Sequence, residues 1–323
     1  MTDSTAPVEF PFVIARATVQ TVEVLSPSFV RISFGGPELA DFGTPGSSFD
    51  QRIKLIFPPA EGEFPDLSSA GSEWYQAWLA FPEERRGAMR TYSVRDLIVE
   101  GDATTLVVDF VLHLSPGASG PASSWAAQAA AGDDLLIFGP RRGLLEGGGI
   151  EYTPGTASTV LLAGDETAAP AIARIIEDLA GRDDAPQVRA FIEVPEAGDR
   201  LDIAAAAGCE VHWLPRDGKA TGTVLIPAVL QHLGALSDGE LTATGSVEIV
   251  DVEGEELVWE TPQYSRLGEQ PAVSENHAES YFWIAGESGT VTTLRRHLVR
   301  DLGINRAQVA FMGYWRKGVA MRG

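Results

Sequence analysis

Residues 90–95 read Arg-Thr-Tyr-Ser-Val-Arg, a pattern typical of an extended strand. Alternate side chains of a strand share a face, so Arg90 and Tyr92 are expected to point the same way. A guanidinium can hold a pyrophosphate by two parallel hydrogen bonds, and a tyrosine ring can cover a flat isoalloxazine. The small hydroxyl of Ser93 can reach a ring nitrogen. The motif predicts a flavin-binding strand, although a half-exposed strand with solvated charges shows the same pattern.

A second stretch, 109–131, supports the same hypothesis. A strand-like run over 109–113 leads into a small-residue loop at 115–124 and an alanine-rich, helix-compatible stretch at 122–131. A strand, a loop and a helix start together present free backbone N–H groups to an anion such as a diphosphate. A simple surface loop is the alternative. The residues predicted to bind the flavin nucleotide are Arg90, Thr91, Tyr92, Ser93, Val94, Asp109, His113, Gly120, Pro121, Ala122, Ser123 and Trp125, with Tyr92 and Ser93 at the reactive ring.

The pattern of short apolar runs and turns predicts a six-stranded antiparallel β-barrel domain over residues 10–142. The six runs are 12–24, 29–34, 51–57, 89–97, 104–112 and 134–138. Residues 58–87 form a long excursion that contains three large aromatic side chains. Residues 143–156, with three consecutive glycines and a proline, are predicted to be a linker.

Residues 157–323 alternate strand and helix patterns, which predicts an α/β domain with a parallel sheet and crossover helices. The predicted strands are 159–163, 188–194, 209–214 and 281–285. Ile172, Ile175, Ile176 and Leu179 follow helical spacing and form one buried stripe. The acidic stretch 237–279 is hard to place, and 247–252 and 256–259 are compatible with a hairpin.

The segment 164–170 joins an apolar strand to a helix, where α/β folds bind nucleotide phosphates. The residues that it contributes to a predicted nicotinamide-cofactor site are Asp165, Thr167, Ala168 and Pro170. Glu193 ends the next strand, where an acid can accept hydrogen bonds from a ribose 2′-hydroxyl, and this favours NADH over NADPH. Arg200 and Arg216 could instead hold a 2′-phosphate, and solvated charge is the plain alternative for all three.

Four motifs in order resemble the siderophore-interacting protein family of flavin-dependent ferric-siderophore reductases. They are Arg90–Arg95 with His113–Trp125, Gly164–Arg174, Tyr281-Phe-Trp-Ile-Ala-Gly-Glu287 and Gly313-Tyr-Trp-Arg-Lys-Gly318. The resemblance runs from about residue 12 to residue 318. Related reductases have Gly-x-Gly-x-x-Pro where this chain has Asp165-Glu-Thr-Ala-Ala-Pro170, and Thr167 stands where the second glycine would fall.

The resemblance implies an FAD-binding barrel and an NADH- or NADPH-binding domain that together reduce ferric siderophores to ferrous complexes. It adds Gly286 and Glu287 to the cofactor site. It also favours a basic substrate pocket for an anionic catecholate, hydroxamate or mixed ferric siderophore, with Lys54, Arg141, Arg316 and Lys317 as candidates. Two alternatives stay open: a flavin reductase with a protein or free-flavin acceptor, and a non-catalytic siderophore carrier.

Composition excludes several classes of protein. The net charge of −21, from 24 basic and 45 acidic residues, repels nucleic acid and anionic membranes. No apolar run approaches the roughly 20 residues needed to span a bilayer, and the N-terminus lacks the features of a secretory signal. Cys209 is the single cysteine, and the histidines lack metal-ligand spacing, so no metal site is expected. A cytoplasmic monomer is the expectation.

Overall fold

The computed structural model describes residues 10–113, 120–144, 148–236, 249, 257–262 and 277–319. The chain divides into two compact units. One contains Val30–Gly149 and the N-terminal residues up to Glu23, and the other contains Val24–Phe29 and Ile150–Met321. The boundary at Gly149 and Ile150 falls within the stretch 143–156.

The sheet of the first unit has seven strands rather than the six that the sequence predicts. The strands are β1 (Phe12–Val24), β2 (Phe29–Gly35), β3 (Arg52–Ile56), β4 (Met89–Ser93), β5 (Asp96–Glu100), β6 (Ala103–Val111) and β7 (Asp134–Pro140). Their order is β4-β3-β7-β1-β2-β6-β5, so β4 and β5 lie at opposite ends of a curled antiparallel sheet.

The additional strand arises because the predicted run 89–97 breaks in two. The amide of Val94 donates to the carbonyl of Gln51 (2.8 Å), whereas the next amide, that of Arg95, donates to the carbonyl of Val107 (2.9 Å). The chain therefore passes from one end of the sheet to the other at this dipeptide. Buried Val94 and a contact between Arg95 and Asp109 fix the break.

Alternating side chains place the core of this unit on one face of the sheet. Ala15, Ala17 and Val19 of β1 are buried there. The excursion covers part of the other face with α1 (Trp74–Leu79), α2 (Glu83–Arg86) and a 3₁₀ turn at Gly71–Glu73. Another 3₁₀ turn spans Pro37–Asp41, and α3 (Pro121–Ala126) packs against the core.

The second unit is built on a six-stranded mixed sheet. Its strands are β8 (Thr159–Gly164), β9 (Gln187–Val194), β10 (Cys209–Pro215), β11 (Trp259–Glu260), β12 (Ser280–Glu287) and β13 (Val309–Trp315). They lie in the order β10-β9-β8-β12-β13-β11. Five are mutually parallel, but β11 is antiparallel to β13, which corrects the expectation of a purely parallel sheet.

The helices of this unit are α4 (Ala169–Ala180), α5 (Leu225–His232) and α6 (Ser288–Arg295), with a π turn at Arg296–Asp301 and a 3₁₀ turn at Arg306–Gln308. The predicted stripe of Ile172, Ile175, Ile176 and Leu179 on α4 is buried. Of the predicted hairpin, 247–252 lies almost entirely outside the described residues, and Trp259 pairs with Met312 of β13. Within the described ranges, no helix is long and apolar enough to cross a membrane.

The turn at Val24–Phe29 is held within the second unit by one buried carboxylate. Asp199 accepts hydrogen bonds from the hydroxyl of Ser26 (2.7 Å) and from the amide (2.9 Å) and hydroxyl (2.9 Å) of Ser28. It also accepts one from the amide of Glu196 (3.1 Å). The side chain of Asp199 is fully buried, so this network accounts for the assignment of the turn to the second unit.

Candidate functional site

Strand β4 presents the flavin motif at one end of the first sheet. Its antiparallel register with β3 pairs Arg90 with Leu55, Tyr92 with Ile53 and Thr91 with Lys54. Directly opposite residues share a face, so Arg90 and Tyr92 lie on the core face of the ladder. Thr91 and Lys54 lie on the other face, together with Ser93.

Tyr92 is anchored but remains partly accessible. Its ring lies 4.6 Å from that of Phe110, between ring centroids, and packs against the core of the first unit. Burial raises the pKa of the Tyr92 hydroxyl, so the phenol stays neutral across the ordinary pH range. A half-buried, neutral ring on an edge strand is the kind of surface that can cover a planar heterocycle.

Arg90 carries a charge that the fold itself does not neutralise. Its guanidinium donates to the carbonyl of Met89 (2.7 Å), and in the described part of the chain no carboxylate pairs with it. Burial lowers the pKa of Arg90, which remains a cation. A half-buried guanidinium without a counter-ion, on the same face as Tyr92, fits the diphosphate of FAD.

The neighbouring stretch is partly structural. Asp109 is buried, accepts two hydrogen bonds from Arg31 (2.7 and 2.8 Å) and contacts Arg95, so these contacts give it a structural role. Its role in cofactor binding stays a prediction. The hydroxyl of Ser123 donates to the carbonyl of Val111 (2.9 Å) and accepts from the amide of His113 (3.2 Å). These contacts fix the structure on both sides of the loop.

Other predicted residues of this stretch divide by exposure. Val94 and Ala122 are buried, and Trp125 packs its ring among those of Phe34, Phe57 and Phe110. The side chains that remain exposed are those of Thr91, His113 and Pro121, and Gly120 is exposed beside them. Residues 114–119 of the predicted loop lie outside the described residues.

The candidate substrate residues of the first unit differ in availability. The ammonium of Lys54 donates to the hydroxyl of Thr91 (2.7 Å). Burial lowers the pKa of Lys54, and the nearby charge of Arg52 lowers it further. Arg141 donates to the carbonyl of Phe10 (2.9 Å) and pairs with Asp41 (3.5 Å). The fold thus uses Arg141 to fasten the start of β1, and its role as a substrate cation stays a prediction.

The loop after β8 forms the corresponding site in the second unit. The carboxylate of Asp165 accepts hydrogen bonds from the amide (2.9 Å) and hydroxyl (2.5 Å) of Thr167. The backbone carbonyl of Asp165 accepts from the amides of Ala168 (3.0 Å) and Ala169 (3.1 Å). Pro170 has no N–H. These three amides and the Thr167 hydroxyl are therefore bound within the loop, and the role of Asp165, Thr167, Ala168 and Pro170 in holding the cofactor stays a prediction.

Glu193 is also used by the fold. Its carboxylate accepts hydrogen bonds from the amides of Gly222 (2.7 Å), Val224 (3.1 Å) and Leu225 (3.1 Å), where α5 begins. The side chain is fully buried, and burial raises the pKa of Glu193. The Glu193 carboxylate is therefore engaged by the fold, and its contact with a ribose hydroxyl stays a prediction.

An ion pair lies at the carboxyl ends of the neighbouring strands. Arg216 follows β10, and its guanidinium donates two hydrogen bonds of 2.6 Å to the buried carboxylate of Glu166. The Arg216 amide donates to the carbonyl of Val194 at the end of β9 (2.9 Å). Arg216 thus stands at the strand end where a dinucleotide ribose binds in α/β folds, with its charge already paired.

Gly286 and Glu287 end β12 beside these groups. Gly286 has φ +137°, and a Cβ there would lie 2.6 Å from a carboxylate oxygen of Asp165, so only glycine fits. Glu287 caps α6 by accepting from the amide of Thr290 (2.9 Å), and it also accepts from the amide of Lys317 (3.3 Å). The side chain of Lys317 is exposed, and that of its neighbour Arg316 is half-buried.

Glu166 and Trp315 were not predicted as site residues, although they lie inside the motifs Gly164–Arg174 and Gly313–Gly318. Glu166 follows Asp165 directly after a buried strand, and adjacent acids in such a place require a cation or a proton. Trp315 ends β13, and its indole N–H donates to Asp165 (2.8 Å). The sequence signal for Trp315 is its position at a strand end, because a buried indole N–H there needs a hydrogen-bond acceptor.

Comparison with known proteins identifies the family to which the chain belongs. Residues 18–144 match the siderophore-interacting FAD-binding domain, and residues 157–318 match the siderophore-interacting protein family. An uncharacterized protein of Mycobacterium tuberculosis is 36% identical over 202 residues, which are 61% of this chain and 63% of that relative. The NADPH-dependent ferric-chelate reductase of Escherichia coli is 32% identical over 205 residues, or 63% and 72% of the two chains. A siderophore utilization protein from T. fusca has a solved structure with a TM-score of 0.65 and 28% identity, covering 96% of this chain and 95% of that one.

Proposed function

Since the chain belongs to the siderophore-interacting protein family, we propose that it is an FAD-dependent reductase of ferric siderophores. In this proposal NADH or NADPH supplies the electrons, and ferrous iron leaves the weakened complex in the cytoplasm. The observation that carries the proposal is the half-buried guanidinium of Arg90, which has no carboxylate partner in the described residues and shares a face with Tyr92. The ferric-chelate reductase among the relatives supports the choice of acceptor.

The residues of β4 have distinct roles in the proposed site. Arg90 would hold the cofactor's diphosphate, Tyr92 would cover one face of the ring system, and Ser93 would lie at its edge. FAD held by these residues would supply the redox chemistry that couples a two-electron hydride donor to a one-electron iron acceptor. The protein's own contribution is alignment and exclusion of water, so no acid–base pair is required.

The proposed substrate is an anionic ferric chelate. A chain with a net charge of −21 repels anions unless a local positive field overrides the overall charge. Lys54 of the first unit is proposed to contribute to such a field, and Arg316 and Lys317 of the second unit are proposed as separate candidates. Lys54 supports that role because its ammonium is partly desolvated and bonded only to a neutral hydroxyl among its described contacts.

For the electron donor we propose that NADH works at least as well as NADPH. Glu193 no longer supports this, because it is buried. The remaining support is the acidic surroundings of Arg216, whose charge is balanced by Glu166. A 2′-phosphate would bring additional negative charge to a strand end where the cation is already paired. The E. coli relative is named as NADPH-dependent, which favours the opposite donor preference. A comparison of NADH with NADPH as electron donors is therefore informative.

An anaerobic absorbance experiment separates this proposal from its alternatives. FAD-loaded protein is mixed with NADH or NADPH and then with a panel of ferric catecholates and hydroxamates. We expect the flavin absorbance to bleach and then to return with the chelates as Fe(II) appears. A carrier would show no bleaching. A reductase with another acceptor would bleach but would be reoxidised only by free flavin or an added electron-transfer protein.

A further inference from the structure

One buried carboxylate joins three strand ends in the second unit. Asp165 lies in the loop after β8, and its side chain is 1% exposed. One of its oxygens accepts from the amide of Glu287 at the end of β12 (2.7 Å) and from the indole N–H of Trp315 at the end of β13 (2.8 Å). The other oxygen binds Thr167 of its own loop.

The surrounding backbone is shaped to admit this carboxylate. The β12–β13 register shifts between Gly286 and Glu287, so that Glu287 lies opposite Trp315. The positive φ of Gly286 and its lack of a Cβ leave the space that the Asp165 side chain occupies. A bulge, an obligatory glycine and a buried acid therefore form one arrangement whose outermost member is the half-buried ring of Trp315.

The same loop is poorly suited to a phosphate. The amides of Thr167, Ala168 and Ala169 are bound to Asp165, and the adjacent Glu166 adds a second carboxylate. Its charge is balanced by Arg216 and not by a free donor. The strand–loop–helix geometry that binds a diphosphate in other α/β folds here serves to fix an aromatic side chain.

We propose that Asp165 is a positioning residue of the dinucleotide site, which fixes the indole of Trp315 at the carboxyl edge of the second sheet. This inference rests on the proposed function, because it takes that edge to bind the reduced dinucleotide. A fixed aromatic face can cover a planar nicotinamide ring, and the hydrogen bond to Asp165 sets its orientation.

The charge state of Asp165 bears on this role. Burial, and then the neighbouring Glu166, raise the pKa of Asp165 to about 7. The groups that face it are Glu166, which is paired with Arg216, and Glu287, whose carboxylate caps α6. An ionised acceptor makes the stronger hydrogen bond, so Trp315 is held more firmly above neutral pH.

The test is the indole N–H resonance of Trp315 in ¹H–¹⁵N spectra of the FAD-loaded protein, assigned with Trp315→Phe. Asp165→Asn is expected to move this resonance towards the position of a free indole. It should also raise the KM for NADH or NADPH about tenfold, the value of roughly one hydrogen bond, with flavin reoxidation by ferric chelate unchanged. Trp315→Phe, which keeps the ring but loses the N–H, should raise KM similarly.

Asp178→Asn is the matched control, because it makes the same carboxylate-to-amide change in the same unit, at a residue that pairs with Arg174 on α4. It should leave both the indole resonance and KM near the wild-type values. An unshifted Trp315 resonance in Asp165→Asn, or a KM that neither variant changes, overturns the proposal. If Asp165→Asn does not fold, Trp315→Phe still decides through KM. Failure of the proposed function would appear separately, as wild-type protein that oxidises neither dinucleotide.

Discussion

Replacing Asp165 with asparagine should change how stability depends on pH. Burial, and to a lesser extent Glu166, raise the pKa of Asp165 from 3.8 to about 7 in the folded protein. The folded state therefore binds more protons than the unfolded state between these values. Stability must fall as the pH rises through this window, and the full cost is present above the folded pKa. Asparagine does not titrate, so this fall is absent from the variant.

The size of the effect follows from the shift. About three pKa units at 1.36 kcal/mol each correspond to a cost of about 4 kcal/mol when Asp165 is ionised. Roughly half of this cost, about 2 kcal/mol, is expected to develop as the pH rises from about 5.5 to about 8. This pH range lies away from the pI of the protein. Glu193, whose pKa is also raised by burial, contributes in the same direction in both proteins and cancels from their difference.

Urea unfolding at several pH values gives the required difference. The free energy of unfolding of wild type minus that of Asp165→Asn should decrease by about 2 kcal/mol over this range. A constant offset between the two proteins is expected in addition, because asparagine cannot accept every hydrogen bond that Asp165 accepts. A difference that stays flat with pH, or that increases, would refute the raised pKa and the desolvation on which it rests.

Arg90→Ala should release FAD from the purified protein, with Arg16→Ala as a control on the same sheet; full flavin occupancy in Arg90→Ala would show that the diphosphate lies elsewhere. Glu166→Gln should unpair Arg216 and raise kcat/KM for NADPH relative to NADH, and a strong wild-type NADPH preference that Arg216→Ala abolishes would contradict the proposed donor. Lys54→Ala and Lys317→Ala, measured as separate variants, should each raise the KM for an anionic ferric siderophore and flatten its salt dependence, with FAD content and NADH oxidation near normal. A variant with unchanged KM would remove that lysine from the proposed substrate cations.

Much of the fold could be predicted because the local spacing of apolar residues along the sequence indicates which segments are helices and which are strands. The stripe of Ile172, Ile175, Ile176 and Leu179 is confirmed as the buried face of α4. Apolar runs predicted four of the five parallel strands of the second sheet, β8, β9, β10 and β12, but not β13. The seventh strand of the first sheet was missed because Val94 and Arg95 continue a strand-compatible run. What breaks the run is a set of distant contacts, to Gln51 and Val107, which local periodicity does not encode.

The candidate site could be predicted only in part, and for a similar reason. Arg90 and Tyr92 share a face, as alternation requires. The structural contacts of Glu193, Asp109 and Arg141 were missed because each residue was judged by its place at or near a strand end. Their partners lie far along the chain, at 222–225, at Arg31 and at Phe10, and these contacts make them structural.

The contacts within the loop 164–170 could not be predicted from its position in the sequence alone. Its position after an apolar strand predicted phosphate binding, but the acid in place of a glycine turns the loop's own donors inward. The sequence signal was available in Asp165, since a buried carboxylate must find hydrogen-bond donors. That these donors include Trp315 of a strand distant in sequence could be seen only in the structure.

The most direct test of the central claim is the yield of ferrous iron in a closed anaerobic reaction. FAD-loaded protein, limiting NADH or NADPH and excess ferric catecholate are mixed with an Fe(II)-specific chromophore. We predict about two ferrous ions for each dinucleotide oxidised, because a hydride carries two electrons and each Fe(III) accepts one. The yield should fall to background when FAD is removed. Oxidation of the dinucleotide without ferrous iron, or an equal yield without FAD, would contradict the assignment of this protein as a flavin-dependent ferric-siderophore reductase.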